Sequence, residues 1–73
     1  MQSRGEEVPD VDCPGYWIEC KAHRVTYPKK ALAQALAATD GRVPVAICKE
    51  PRTEPTVTMY LKDWLDLMRV LYG

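Results

Sequence analysis

The architecture of this chain is set by one segment, Val8-Pro9-Asp10-Val11-Asp12-Cys13-Pro14-Gly15-Tyr16-Trp17-Ile18-Glu19-Cys20-Lys21. Its centre, Pro14-Gly15, predicts a tight type II turn, because proline fixes φ and glycine accepts the positive φ of the next position. A hairpin centred there pairs residues whose numbers sum to 29, so Asp10 is predicted to face Glu19. Opposed residues have Cβ atoms about 5 Å apart. Two carboxylates at that distance repel each other unless positive charge lies between them.

Side chains alternate along the two predicted strands of this hairpin. One face is expected to point out of the core and to carry Asp10, Asp12, Trp17, Glu19 and Lys21. The opposite face is expected to hold the hairpin in the core through Val11, Tyr16, Ile18 and Cys20.

The rest of the chain predicts a helix, a buried strand, an edge strand and a second helix. The predicted elements are strands 6–12 and 16–22, helix 28–39, strands 43–48 and 56–60, and helix 61–72. This order, β-β-α-β-β-α, predicts an α/β fold in which helices pack on a small mixed sheet. We expect one domain, residues 1–73, with a frayed segment at residues 1–5.

Both predicted helices have an apolar face. In the first, the i, i+3, i+4, i+7 pattern predicts burial of Ala31, Leu32, Ala35, Leu36 and Thr39. In the second, a broad apolar arc is predicted to be core, with spare surface for a dimer: Leu61, Trp64, Leu65, Met68, Leu71 and Tyr72. The charged residues of that helix are expected to face away: Lys62, Asp63, Asp66 and Arg69.

Composition narrows the function classes. The chain has 73 residues, 47% of them apolar, and a formal net charge of zero. No run reaches membrane-spanning length and no secretory signal is evident, so we expect an intracellular protein with no membrane partner. Residues 1–19 hold five acids and one arginine, whereas residues 20–39 hold four cations and no acid. Such blocks suit a site that binds a cation and a polyanion together, or are simply solvated faces.

The three cysteines are an odd number without CxxC spacing, which argues against a disulfide framework. A zinc site is an alternative hypothesis, and its ligands would be Cys13, Cys20, His23 and Cys48. The favoured interpretation is that Cys20 and Cys48 pack as small apolar groups. His23 is then a solvated or phosphate-contacting residue.

Asp10, Glu19 and Lys21 form the chemistry-bearing constellation. Two carboxylates on adjacent strands offer the hard oxygen ligands that Mg²⁺ prefers. The metal would polarise a phosphate oxygen and acidify a bound water. A lysine on the same face would hold that water or counter the charge that develops on the phosphate.

Pro9-Asp10, eight intervening residues and then Glu19-Cys20-Lys21 resemble the motif of the PD-(D/E)xK nuclease superfamily. The fuller pattern, over residues 6–72, is similar to small phage-type nucleases related to archaeal Holliday junction resolvases. The resemblance implies a minimal restriction-endonuclease-like core and a Mg²⁺-dependent (or Mn²⁺-dependent) endodeoxyribonuclease. It implies that Asp10, Glu19 and the Cys20 carbonyl are metal ligands and that Lys21 is the catalytic lysine.

The resemblance further implies branched or duplex DNA as substrate, a homodimer, and the host cytoplasm as location if the chain is phage-encoded. The resemblance favours Gln34 as a residue that approaches the active site, and the candidate phosphate contacts are Arg24, Lys29 and Lys30. The alternative is that Gln34 is only solvent-exposed and that the three cations only solubilise an alanine-rich helix. Asp12 is the alternative to Asp10. The family usually begins with a helix that carries an additional acid, which this sequence lacks, and Glu6 or Glu7 would have to substitute.

Two other functions stay open on the sequence alone. A degenerate nuclease fold would bind DNA or a protein partner without cutting. A small structural protein would use the same acids only to solvate an edge hairpin.

Overall fold

A computed structural model describes residues 8–73 of this chain, which form a four-stranded mixed sheet and two helices. The elements are β1 (Val11–Cys13), β2 (Tyr16–Ala22), α1 (Pro28–Ala38), β3 (Val43–Lys49), β4 (Thr56–Thr58) and α2 (Leu61–Tyr72). The predicted order β-β-α-β-β-α is confirmed. The frayed segment 1–5 and the acids Glu6 and Glu7 lie outside the described residues.

The β1–β2 hairpin has the predicted register from Val11 to the turn, but the predicted pair of Asp10 with Glu19 does not form. Val11 pairs with Ile18 and Cys13 with Tyr16, and Gly15 has φ 87°, the positive value that its place in a type II turn requires. The pairing shifts just before β1, where the Asp10 N–H donates to the Ile18 carbonyl at 2.9 Å. Of the predicted first strand, 6–12, the described residues 8–10 are not strand and β1 begins at Val11, because Pro9 has no N–H to continue the ladder.

The sheet has the order β1-β2-β3-β4, so β2 and β3 are its centre. They run parallel, and α1 makes the crossover between them. The short strands β1 and β4 are antiparallel edges that pair with only three residues each of β2 and β3. The second half of β2 therefore extends beyond its outer neighbour.

Helix α1 packs on one face of the sheet, and this is where the core lies. Its buried residues are Ala31, Leu32 and Ala35, and Ala31 and Leu32 form one core cluster with Ala46 and Cys48 of β3. Alanines on a buried helix face let the helix approach a sheet closely, since they add little volume between the two backbones. Leu36, predicted to be buried, is instead 53% exposed.

The hairpin is turned the opposite way from the prediction. Trp17 is 2% exposed, and the face it shares with Glu19 and Lys21 is the one that α1 covers. On the other face, Ile18 is half-buried and Cys20 is exposed. The large indole gains more from burial than Ile18 and Cys20 do, so the face with the most charge also carries the core tryptophan.

Helix α2 forms where it was predicted but does not pack as predicted. None of its twelve residues, all of them described, is buried, and its contact with the rest of the fold is marginal. Trp64 is 44% and Leu71 60% exposed. Asp63, expected to face away, has a side chain only 11% exposed. The apolar arc is therefore surface, because the chain leaves the sheet after Tyr60, which packs against the core.

Neither helix in residues 8–73 has the length and apolarity needed to cross a bilayer.

Candidate functional site

Asp10 lies immediately before β1 begins, beside the outer edge of β2. Its carboxylate Oδ2 accepts a hydrogen bond from the Cys20 N–H at 2.7 Å. The side chain thus takes the position that a backbone carbonyl would occupy if β1 continued. Asp10 itself remains exposed, so its second carboxylate oxygen is accessible to a ligand.

The Cys20 carbonyl faces the same edge. In a strand, the N–H and the C=O of one residue point toward the same neighbouring strand, and the Cys20 N–H points at Asp10. The carboxylate and the carbonyl are both hard oxygen donors, which suit Mg²⁺ or Mn²⁺. The donor types at this edge therefore fit the metal that the sequence implies.

Glu19 is half-buried on the α1 side of β2 and is held by its neighbour on that face. The Trp17 indole Nε1 donates to Glu19 Oε2 at 3.1 Å. A buried indole N–H needs an acceptor, so this bond both satisfies Trp17 and fixes the direction of the carboxylate. It also occupies one of the two oxygens that Glu19 could offer a metal.

Arg42 contacts the Trp17 ring and two aspartates, and these contacts were not predicted. Its guanidinium lies 5.1 Å from the centre of the Trp17 ring. It donates to Asp40 at 2.9 and 3.0 Å and contacts Asp12 at 3.4 Å. The hydrogen bonds from Arg42 lower the pKa of the Asp40 carboxyl, and those to Asp40 raise the pKa of Arg42.

The two candidate acids, Asp10 and Asp12, differ in what they contact. Asp12 is opposite Trp17, as the predicted register requires, but its side chain is 95% exposed and its partner is Arg42. Asp10, in contrast, contacts the backbone of the Glu19-Cys20-Lys21 segment. Asp10 is therefore the acid that lies with the motif.

Lys21 links two concavities beside α1. One, of about 350 Å³, is lined by Glu19, Lys21 and Gln34 together with two alanines of α1. The other, of about 190 Å³, is lined by Lys21 and Gln34 and also by His23 and Lys30. Because the two concavities share Lys21 and Gln34, we treat them as one groove, the α1 groove, which runs along the helix from Glu19 to His23.

The predicted DNA-contacting residues divide into two groups. Lys30 and Gln34 line the α1 groove. Lys29 is exposed on the same helix, outside the groove lining, and Arg24 lines a separate concavity with His23. Among residues 8–73, the cations of this region form no ion pair: Lys21, Arg24, Lys29 and Lys30. Their charge is therefore available to an anionic ligand.

The pKa of the Cys20 thiol is raised above its ordinary value. Loss of hydration raises the pKa of Cys20, and the negative charges of Asp10 and Glu19 raise that pKa further. Both acids therefore act electrostatically on the same residue between them, from the sheet edge and from the α1 side.

The alternative zinc cluster does not form in the described part of the chain. No group of three or more His, Cys, Asp or Glu side chains converges within residues 8–73, and the three cysteines are free. Cys48 is buried as predicted, whereas Cys20 is exposed. Register places them on opposite faces, since Cys48 pairs with Lys21 and Cys20 with Ile47.

Sequence reasoning brought Asp10, Glu19, Lys21 and Gln34 into one region but missed Trp17 and Arg42 as supporting residues. Trp17 was expected on the face that points out of the core, and its burial contradicts that placement. The sequence signal that could have identified Trp17 as a partner of Glu19 was their spacing, because residues two apart on a strand share a face.

Comparison of this chain with protein-family models, with curated proteins and with solved structures finds no match.

Proposed function

We propose that this chain is a Mg²⁺-dependent or Mn²⁺-dependent DNA endonuclease of the PD-(D/E)xK type that hydrolyses phosphodiester bonds. The observation that carries the proposal is the 2.7 Å bond between Asp10 and the Cys20 N–H. It brings the first acid of the proposed motif into contact with the middle of the Glu19-Cys20-Lys21 segment, which supports the proposal.

In this proposal Asp10, Glu19 and the Cys20 carbonyl hold the metal. When bound, the ion would polarise a phosphate oxygen and make a water molecule more acidic. The Trp17–Glu19 bond keeps the Glu19 carboxylate in one direction, which lowers the entropy cost of ligand binding.

Lys21 would stabilise the negative charge that develops on the phosphate. Lys21 is half-buried and lines the α1 groove, where a charge acts more strongly than in bulk water. Lys30 and Gln34 would bind the neighbouring sugar-phosphate backbone of the DNA strand. Arg24 and Lys29, which are exposed, would contact phosphates further away.

The substrate we propose is branched DNA, as for a phage-type Holliday junction resolvase, inside the cell or in the host cytoplasm if the chain is phage-encoded. A four-way junction needs two symmetric cuts, which a homodimer supplies.

The test is cleavage of a labelled four-way junction and of a matched duplex with Mg²⁺ and with Mn²⁺. We expect Asp10→Asn, Glu19→Gln and Lys21→Ala each to reduce cleavage by at least about 100-fold, as removal of a catalytic group does. Asp12→Asn is the matched control, because Asp12 is a neighbouring exposed acid that contacts only Arg42. The proposal is wrong if Asp12→Asn loses as much activity as Asp10→Asn, or if the wild type fails to cut either substrate.

A second function is a nuclease-fold module that binds DNA or a protein partner without cutting. The observation that favours it is the lack of a third converging acid within residues 8–73, together with the use of one Glu19 oxygen by Trp17. DNA binding by the wild type without cleavage in either metal would favour this module over the enzyme. Neither binding nor cleavage would favour a structural role.

A further inference from the structure

A second concavity with positive charge lies at the end of β2, and the proposed function uses only its Arg24. Its volume is about 280 Å³. We call it the β2-end concavity, and its lining residues are Ala22, His23, Arg24, Lys49, Glu50 and Pro51. His23 also lines the α1 groove, so the two concavities meet at this residue.

The β2-end concavity and the α1 groove lie on opposite faces of the sheet. Lys21 lines the α1 groove, so Ala22, the next residue of β2, points to the face that α1 does not cover. Lys49 pairs with Ala22 across β2 and β3 and therefore shares its face. The end of β2, where the His23 N–H donates to the Lys49 carbonyl at 3.2 Å, separates the two concavities.

The positive charge of the β2-end concavity is not neutralised by its one acid. The Glu50 carboxylate accepts both of its hydrogen bonds from Thr26. Lys49 Nζ donates instead to the Glu50 backbone carbonyl at 2.7 Å. Within residues 8–73, neither Lys49 nor Arg24 forms an ion pair. Both cations are therefore available to an anion, as the cations of the α1 groove are.

A polyanion that contacts both concavities has to pass around the end of β2. A sheet with its side chains is about 10 Å thick, which is the spacing of stacked sheets. Phosphates of one DNA strand follow each other at about 3.4 Å along the axis, so the passage takes about three nucleotides. A duplex has a persistence length of about 150 base pairs and stays nearly straight over that distance. An unpaired strand has no such stiffness and can follow this path.

We propose that a DNA strand bound in the α1 groove becomes unpaired at His23, turns around the end of β2 and enters the β2-end concavity. Arg24 and Lys49 bind its phosphates there. This inference rests on the DNA binding proposed above, and it adds where on the protein the substrate has to be single-stranded. A branch point or a fork supplies such a strand, whereas a continuous duplex does not.

The test compares a blunt duplex with the same duplex carrying about ten unpaired nucleotides on both strands at one end. Fluorescence anisotropy in a chelator, where no cleavage occurs, gives the slope of log K against log salt concentration. The wild-type slope should be steeper on the fork by about 1.4, since each of two contacts to an unpaired strand adds about 0.7. Lys49→Ala and Arg24→Ala should each remove about 0.7 on the fork and leave the slope on the blunt duplex unchanged.

Arg52→Asn is the matched control. Arg52 is an exposed cation of the loop that follows Lys49 and does not line the concavity, and asparagine tolerates its φ of 61°. The slope on the fork should not change. Circular dichroism checks the fold of each variant, and the exposed position of Arg24 provides a variant that leaves β3 intact.

Four results would each overturn the proposal. They are equal wild-type slopes on the two DNAs, an equal effect of Lys49→Ala or Arg24→Ala on the blunt duplex, the same loss with Arg52→Asn, and a failure to bind the fork. Fork binding with the expected slopes but without cleavage in Mg²⁺ or Mn²⁺ would count only against the nuclease. Cleavage with equal slopes would count only against the strand path.

Discussion

Glu50 fastens the connection between β2 and α1. Its carboxylate accepts hydrogen bonds from the Thr26 backbone N–H at 2.7 Å and from the Thr26 hydroxyl at 2.9 Å. These bonds lower the pKa of Glu50, because they favour its charged form. Thr26 also lines the concavity that holds Lys21 and Lys30. The two hydrogen bonds between Thr26 and Glu50, the Glu50 tether, therefore shape one end of the α1 groove.

The tether predicts a pH-dependent effect of Glu50→Gln on stability. Since the pKa of Glu50 is lower in the folded state, its contribution is present at neutral pH and is lost as pH falls through the folded-state pKa. We expect Glu50→Gln to lower the free energy of unfolding at neutral pH and to differ little from the wild type once the pH is below the folded-state pKa of Glu50. Urea unfolding across this range measures the difference. Glu54→Gln, an exposed acid of the same loop, should have no comparable effect at any pH.

Pairing of individual residues was predictable only where a local turn sets it. Pro14-Gly15 predicted that Val11 meets Ile18, and it does. The contact of Arg42 with Trp17 depends on the parallel register of β2 and β3. That register is fixed by how α1 crosses the sheet, and no neighbouring residue in the sequence encodes it.

Ala35 shows what α1 requires of its buried face. It is fully buried, whereas Ala33 on the same helix is exposed. A side chain larger than a methyl group at Ala35 would push α1 away from β3, because protein interiors have few voids to absorb it.

Ala35→Leu should therefore destabilise the fold by about 1–3 kcal/mol, the usual cost of overpacking. Ala33→Leu is the control, with an expected change within about 0.5 kcal/mol, since leucine and alanine have similar helix propensities. Chemical denaturation of both variants gives the comparison. Equal destabilisation by the two would show that α1 does not pack on the sheet through Ala35.

The bounds of the elements were largely predictable, and what covers them was not. The bounds of β2 and α2 match the prediction, because turn residues and apolar periodicity mark both. The prediction that the apolar arc of α2 is core was wrong. A period of 3.6 residues shows that a helix has an apolar face, but it carries no information on whether that face meets its own sheet or a second copy.

The molecule as a whole is neutral, yet its charge is unevenly placed. The unpaired cations near the α1 groove lie beside β2 and the start of α1, next to the acids of the hairpin. Electrostatic attraction of DNA would therefore be local to the groove and would respond steeply to salt.

This predicts how Lys30→Ala changes DNA binding. Lys30 lines the α1 groove and has no ion-pair partner within the described chain. Its loss should reduce the slope of log K against log salt concentration by about one, as removal of one phosphate contact does. Lys62→Ala removes the same charge from α2, where Lys62 contacts Asp63, and should leave the slope unchanged. Fluorescence anisotropy of labelled DNA at several salt concentrations measures the slope for each variant. Equal slopes for the two variants would show that Lys30 does not contact the DNA.

The fold class was predictable because each element is consistent with the next. A hairpin, a capped crossover helix and an apolar strand permit few sheet topologies. Which face of the sheet α1 covers was not predictable from alternation alone. Alternation assigns Trp17 and Ile18 to opposite faces, but it does not say which face α1 covers.

The tight turn at Gly15 has a consequence for the order in which the molecule forms. Residues paired across β1 and β2 are three, five and seven positions apart, whereas every β2–β3 pair is 27 positions apart. The entropy cost of closing a loop grows with the logarithm of its length, so the hairpin is the less costly unit to close. Asp10, Glu19 and Lys21 all belong to or border that unit. The acids and the lysine are thus brought near each other by local folding, while the α1 groove exists only after the chain has crossed back along β2.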